Sequence, residues 1–186
     1  MTKHKYALDY SISFHKVNPE DQSLLSQFRC EYKAICDFIQ NHSIDSQKDV
    51  SYIFVDDENQ RIIAFCAICC TGISTTAYDN GIEYTTSIPA VEIDYFAVDE
   101  DYRSLLLDAE SSRYETLSRA LFLYMQDVIK NISEEHVGAT HICLYAVPKA
   151  VSFYKRCGFV EFGEFMNGDE MPFLRGCVPM FRIIGN

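Results

Sequence analysis

Apolar and polar positions alternate loosely from Ala7 to Val17, a two-residue period that predicts a first strand. Asn18-Pro19-Glu20-Asp21 then predicts a helix start: Asn18 can cap, Pro19 suits the first helical position, and the acids favour the positive end of the helix dipole. Leu24, Leu25, Phe28, Tyr32, Ile35, Cys36 and Ile39 recur at helical spacing, so one helix is expected to about Gln40. Val50 to Val55 is a short apolar strand, Asp57-Glu58-Asn59-Gln60 a polar turn, and Arg61 to Ile73 a longer strand, together a hairpin. Ile88 to Val98 reads as another strand, with Pro89 near its start. A polar stretch, Asp99 to Glu115, leads into a strong helix carrying Leu117, Leu121, Tyr124, Val128 and Ile132. Thr140 to Val147 is a buried strand, Pro148 opens a short helix ending near Gly158, and Phe159 to Phe165 and Val178 to Ile184 are closing strands.

The predicted order is β-α-β-β-β-α-β-α-β-β. The strand, helix and strand across 91–147 predict a right-handed crossover in a mixed sheet, and the alternation excludes an all-helical or all-strand fold. No internal repeat, low-complexity tract or linker divides the chain, so residues 1–186 are expected to be one domain.

Composition sharpens this picture. The chain has 186 residues, 48% of them hydrophobic, enough for one sizeable core. No run approaches the roughly 18 to 20 apolar residues of a membrane span. The basic start, Met1 to Tyr6, lacks the apolar region and cleavage site of a secretory signal, which leaves a cytoplasmic location as the expectation. A net charge of −11 repels phosphates at long range, so no nucleic-acid partner is expected and a cationic substrate is favoured.

Eight cysteines include Cys66, Cys69 and Cys70. The spacing of Cys66 and Cys69 suits zinc, but they lie in the run Ile62 to Cys70, where strand alternation puts them on opposite faces. No second ligand pair follows. Buried free thiols in a reducing compartment are the expectation, and no metal site is assigned.

Two segments carry a family likeness. Val91-Glu92-Ile93-Asp94-Tyr95-Phe96-Ala97-Val98-Asp99-Glu100-Asp101-Tyr102-Arg103 resembles the central strand of the GNAT superfamily of N-acetyltransferases, running into its "LAVxPxYR" end. Ala150-Val151-Ser152-Phe153-Tyr154-Lys155-Arg156-Cys157-Gly158-Phe159 resembles the family's "AxxFYxxxGF" segment. The resemblance covers the whole chain in element order but is specific only in these two motifs. It implies an α/β protein (α+β in its mixed sheet) with the GNAT-like acyl-CoA N-acyltransferase fold, a central mixed β-sheet flanked by helices. It implies acetyl-CoA as co-substrate and a small-molecule or protein amine as acceptor, and it leaves a homodimer open.

The family's third motif, Q/R-x-x-G-x-G/A, holds the CoA pyrophosphate with backbone N–H groups at a helix start. Aligning Ala120-Leu121-Phe122 with the family's helical "ALL" places it on Arg113-Tyr114-Glu115-Thr116-Leu117-Ser118. Arg113 matches, while Thr116 and Ser118 replace glycines, and Ser104 to Ser112 becomes an insertion. A Cβ restricts close approach to a phosphate, although the two hydroxyls can donate to it or cap the helix. Glu110 and Glu115 would oppose a polyanion. The resemblance therefore implies Arg113, Thr116, Leu117 and Ser118 as cofactor contacts, with the plain helix cap as the competing reading of Thr116.

Acetyl transfer from a thioester needs a neutral amine, a polarised carbonyl oxygen and a proton for the departing thiolate. In a GNAT-like site, Phe96-Ala97-Val98 would splay from the neighbouring strand and turn its N–H groups to the pantetheine and the carbonyl oxygen. Tyr154 matches the family tyrosine facing the sulfur and would be the general acid; the competing reading is a core tyrosine. Glu92 and Asp94 share a strand face, and Glu92 would relay a proton from the ammonium through water, against the alternative of a polar surface. His136 and His141 are weaker bases. The family asparagine that precedes the second motif is Val147 here, so that contact is missing. Three functions compete: an N-acetyltransferase of amines, a GNAT-fold interaction module with weakened acetyl-CoA use, and a toxin-like acetyltransferase of aminoacyl-tRNA.

Overall fold

The computed structural model describes residues 6–162 and 174–185. Its seven strands are β1 (Ile12–Lys16), β2 (Val50–Asp56), β3 (Arg61–Asp79), β4 (Ile82–Val98), β5 (His141–Ala146), β6 (Val160–Glu161) and β7 (Val178–Ile183). Four α-helices accompany them: α1 (Gln22–Leu25), α2 (Lys33–Asn41), α3 (Leu117–Ile132) and α4 (Val151–Arg156). The strands form one mixed sheet in the order β1-β2-β3-β4-β5-β7-β6. β4 and β5 are parallel, as the strand-helix-strand pattern across 91–147 predicts, and the β1/β2, β2/β3, β5/β7 and β6/β7 pairs are antiparallel.

Three elements differ from the periodicity. The first strand is shorter, because Ala7–Asp9 winds into a 3₁₀ turn: Tyr6 N–H donates to the Asp9 carboxylate at 2.8 Å, and Ala7 N–H to Leu106 O at 2.9 Å. The helix expected from Pro19 to Gln40 is two helices. Its start is as predicted, with Glu20 N–H donating to Asn18 Oδ1 and Asn18 N–H to Asp21 Oδ2. Local turn bonds carry on from Leu25 to Phe28, and beyond it tertiary bonds replace the helical ladder. Arg29 N–H donates to Asp99 Oδ2 at 2.9 Å, and Gln40 Nε2 donates to Phe28 O at 2.9 Å.

The third difference is the β3/β4 hairpin, which runs well past Ile73 and begins again before Ile88. Asn80 and Gly81 have φ of 49° and 80°, the left-handed pair that joins two strands in a tight primed turn. The closing strand expected over 159–165 is observed as Val160–Glu161; 163–165, like 1–5 of the basic start, lie outside the described residues.

The chain forms two compact units that share β3 and β4. One runs to Ile68 and adds Tyr95–Met125; the other comprises Cys69–Asp94 and the chain from Gln126 onward. The first is built on Leu25, Phe28, Ile39, Ile53, Phe65 and Ala97, with the rings of Phe38 and Tyr95 stacked at 4.1 Å. In the second, Ile73, Ala90 and Cys143 are buried with Ile88, Phe162 and Phe181 packed on them. All eight cysteines are reduced, outside any disulfide, and Cys66 and Cys69 are buried. Among the described residues no helix is long and apolar enough to cross a membrane.

Candidate functional site

In the first unit, β4 ends against α3. Phe96 meets Phe122 edge to face at 4.8 Å, and Ala97 and Val98 are buried. The register of β4 on β5 spans Ala90–Ile93 against His141–Leu144, and β4 itself runs on to Val98. Asp99 then closes the strand. Its own N–H donates to Ile63 O, and its carboxylate accepts Arg29 N–H, Asp101 N–H and the Arg61 guanidinium at 2.9 to 3.1 Å. A buried carboxylate with three donors is a fixed anchor for the following turn.

The insertion after that turn folds back on the start of α3. Leu106 and Thr116 form an antiparallel bridge, Leu107 N–H donates to Glu115 O at 3.0 Å, and Leu117 N–H donates to Leu105 O at 2.8 Å. Ser118 is buried, and its hydroxyl donates to Arg103 O at 2.9 Å. Thr116 Oγ1 accepts Arg119 N–H at 3.4 Å, a side-chain cap. Thus the helix start expected to hold an anion also holds its own insertion. Arg113 is exposed; its guanidinium lies 4.6 Å from the centre of the Tyr114 ring and donates to that hydroxyl. The Glu115 carboxyl is held below its ordinary range by hydrogen bonding to Ser112, including the Ser112 N–H at 2.7 Å.

The second unit holds the other candidates. Glu92, half-buried, is in register with Cys143 on β5. The Cys143 thiol is pushed up to about 12, first by burial and then by the neighbouring Glu92, Cys69 and Asp94. Glu92 and Asp94 thus project their fields onto the same strand neighbour, as i, i+2 positions should. His141 opens β5 with Nδ1 2.9 Å from Thr140 Oγ1, and burial lowers its pKa. His136 is exposed beside Glu135.

Tyr154 lies on α4, 9% exposed, with its ring edge-on to Phe153 at 5.2 Å and to Phe159 at 6.1 Å. Gly158 stops this helix at φ 88°, a conformation in which a Cβ would be strained, and a Cβ there would meet the Arg182 guanidinium in ordinary contact at 3.4 Å. Arg182 donates to Cys157 O at 3.1 Å and to the Gln126 side chain, so a cation covers the helix end.

Sequence reasoning missed the anchor at Asp99 and its partner Arg61. An acidic run after an apolar strand was the available signal, but it does not say which acid turns inward.

No family model and no curated protein sequence matches the chain. Solved structures do. A bacterial toxin aligns with a TM-score of 0.67 at 18% identity, over 94% of this chain and 92% of its own. AtaTR bound with acetyl-CoA aligns at 0.62 and 18%, over 95% and 94%. NAA60 of Arabidopsis thaliana, in complex with a bisubstrate analogue, aligns at 0.54 and 20%, over 94% and 99%. The chain has the GNAT fold, seen among the described residues as a mixed seven-stranded sheet with four α-helices.

Proposed function

We propose that this chain is an acetyl-CoA-dependent N-acetyltransferase that moves an acetyl group directly to a primary amine of a small molecule or a protein. The observation that carries the reading is the register of β4, which leaves its ladder with β5 after Ile93 and runs on to Val98 before α3 begins. Phe96, Ala97 and Val98 would give their backbone to the pantetheine and to the thioester oxygen, where negative charge develops. Arg113 would meet a phosphate, and Thr116, Leu117 and Ser118 would shape the helix start beneath it.

The chemistry asked of the chain is modest. Glu92 would take a proton from the incoming ammonium through water, so that the amine attacks with its lone pair free. Tyr154 would give its phenolic proton to the sulfur as the thioester bond breaks. Acetyl-CoA supplies the activated acyl group, and AtaTR, which shares this fold, is known bound with it.

The net charge of −11 favours a cationic acceptor. A second reading, a toxin acting on the amine of aminoacyl-tRNA, draws support from the toxin among the fold neighbours. The test is thermal-shift stabilisation by acetyl-CoA against CoA and ATP, followed by free-thiol release with polyamines, amino acids, lysine peptides and aminoacyl-tRNA. Stabilisation by acetyl-CoA with turnover on a free amine supports the first reading, and turnover on aminoacyl-tRNA alone supports the second. Stabilisation by none of the three ligands makes the chain an interaction module.

A further inference from the structure

The break between α1 and α2 brings two thiols together. Cys30 Sγ and Cys36 Sγ lie 2.7 Å apart, well inside the roughly 3.5–4 Å of ordinary heavy-atom contact. Both residues are partly buried in the first unit, where they pack on its core. We propose that Cys30 and Cys36 are a redox modification site, which closes to an intramolecular disulfide when the protein meets a peroxide. This inference stands apart from the acetyl-transfer reading and does not require it.

The two sulfurs are not equivalent. Cys36 sits in the first turn of α2; its sulfur accepts Cys30 N–H at 3.0 Å and lies 3.5 Å from Cys30 O. Cys30 Sγ has Tyr32 O at 3.3 Å, to which its S–H donates. Its thiol is pushed up to about 12, first by burial and then by its hydrogen bond with Cys36, so Cys30 keeps its proton. Cys36 is therefore the attacking sulfur and Cys30 the resolving one.

The step balances with one peroxide. The Cys36 thiolate attacks one peroxide oxygen, the O–O bond breaks, and hydroxide leaves to take up the proton released by Cys36, giving Cys36 sulfenic acid and water. The Cys30 sulfur then attacks the Cys36 sulfur, the S–O bond breaks, and the Cys30 proton leaves with that hydroxide as a second water. Two thiols are oxidised by two electrons, and hydrogen peroxide is reduced to two waters.

Oxidation here would be felt at the end of β4. The residues flanking Cys30 are strapped to the turn after Val98: Arg29 N–H to Asp99, Glu100 N–H to Arg29 O at 3.1 Å, Arg29 to Asp101 at 2.6 Å, and Arg103 to Glu31 at 3.3 Å. A disulfide at Cys30 would hold that strap in place.

The test treats the full-length reduced protein with hydrogen peroxide, blocks the remaining thiols with iodoacetamide, and maps the peptides after cleavage at Lys33. The expected result is a Cys30–Cys36 link that dithiothreitol reverses, with a melting temperature about 5 °C above the reduced form. Cys30→Ser should leave a sulfenic acid on Cys36 that dimedone traps, whereas Cys36→Ser should leave Cys30 unmodified. Wild-type protein whose Cys30 and Cys36 are both alkylated after peroxide, while exposed Cys70 is oxidised, overturns the proposal. So does wild-type Cys36 that gives a dimedone adduct without a link.

Discussion

The backbone N–H of Leu117 donates to the carbonyl of Leu105 at 2.8 Å, so the first amide of α3 is committed within the chain. A helix start binds anions with its leading N–H groups, and each one turned inward is one fewer for a pyrophosphate. Acetyl-CoA is therefore expected to bind weakly. Isothermal titration measures this directly, and the absence of heat at about 1 mM CoA, the weak end of the affinity scale, removes the acetyltransferase reading.

Ser118→Ala separates the hydroxyl of that helix start from its backbone. The hydroxyl donates to Arg103 O in a buried position, so the variant should lose about 1 kcal/mol of stability by urea denaturation. Its part in the proposed cofactor contact is through the main chain, and CoA affinity should hold. A variant of wild-type stability with weakened CoA binding would assign the hydroxyl to the cofactor instead.

Arg113 is the exposed cation of the predicted loop, resting on Tyr114. Arg113→Ala should weaken CoA binding by roughly 1.5 to 3 kcal/mol, the worth of a charge-assisted hydrogen bond. Titration of the variant decides it, because unchanged affinity moves the phosphate contact to Arg103 or Arg119.

Tyr154→Phe keeps the ring that packs on Phe153 and Phe159, so the fold and CoA affinity should survive. Turnover should fall about 100-fold, the usual scale for a positioned general acid. A structural hydroxyl predicts the reverse, a lower melting temperature with turnover per folded molecule unchanged.

Tyr102 donates its hydroxyl to Asp56 Oδ2 at 2.8 Å in the core of the first unit. Burial acts to raise the Asp56 pKa, but the Asn59 side chain and amide, Tyr102 and the Glu58 amide together hold it below its ordinary 3.8. A depressed carboxyl stabilises the fold above its unfolded pKa, and that share is lost as pH falls through the lower, folded value. Tyr102→Phe should cost about 1.5 to 3 kcal/mol at neutral pH and less near about pH 3. Denaturation at the two pH values measures the difference, and an equal cost at both would uncouple Tyr102 from the charge of Asp56.

Much of this fold was legible in the order of residues alone. Strand and helix periods placed β2, β5 and α3 to within a residue or two, since each buries one repeating face and the pattern states which, whereas the helix expected from Pro148 opens as a 3₁₀ turn and α4 itself starts at Val151. The likeness at Ala150 to Phe159 was also local: Gly158 has φ 88° because a helix must stop there. The long arm of β3 and β4 was partly legible too, in Asn80-Gly81, but Tyr78, Ile82 and Tyr84 stay exposed there, so no buried face marks it as part of the core.

Tertiary structure alone decided the rest. Helical spacing from Leu24 to Ile39 cannot show that Arg29 N–H will bond Asp99, seventy positions away, and break the helix. That break, not the sequence spacing, is what sets Cys30 against Cys36. Likewise, Thr116 and Ser118 read as replacements for glycine, while the fold spends them on capping α3 and holding Arg103. Side-chain periodicity reports which face is buried. It carries no information about which distant backbone group will satisfy a given donor, and that pairing is made only when the chain closes on itself.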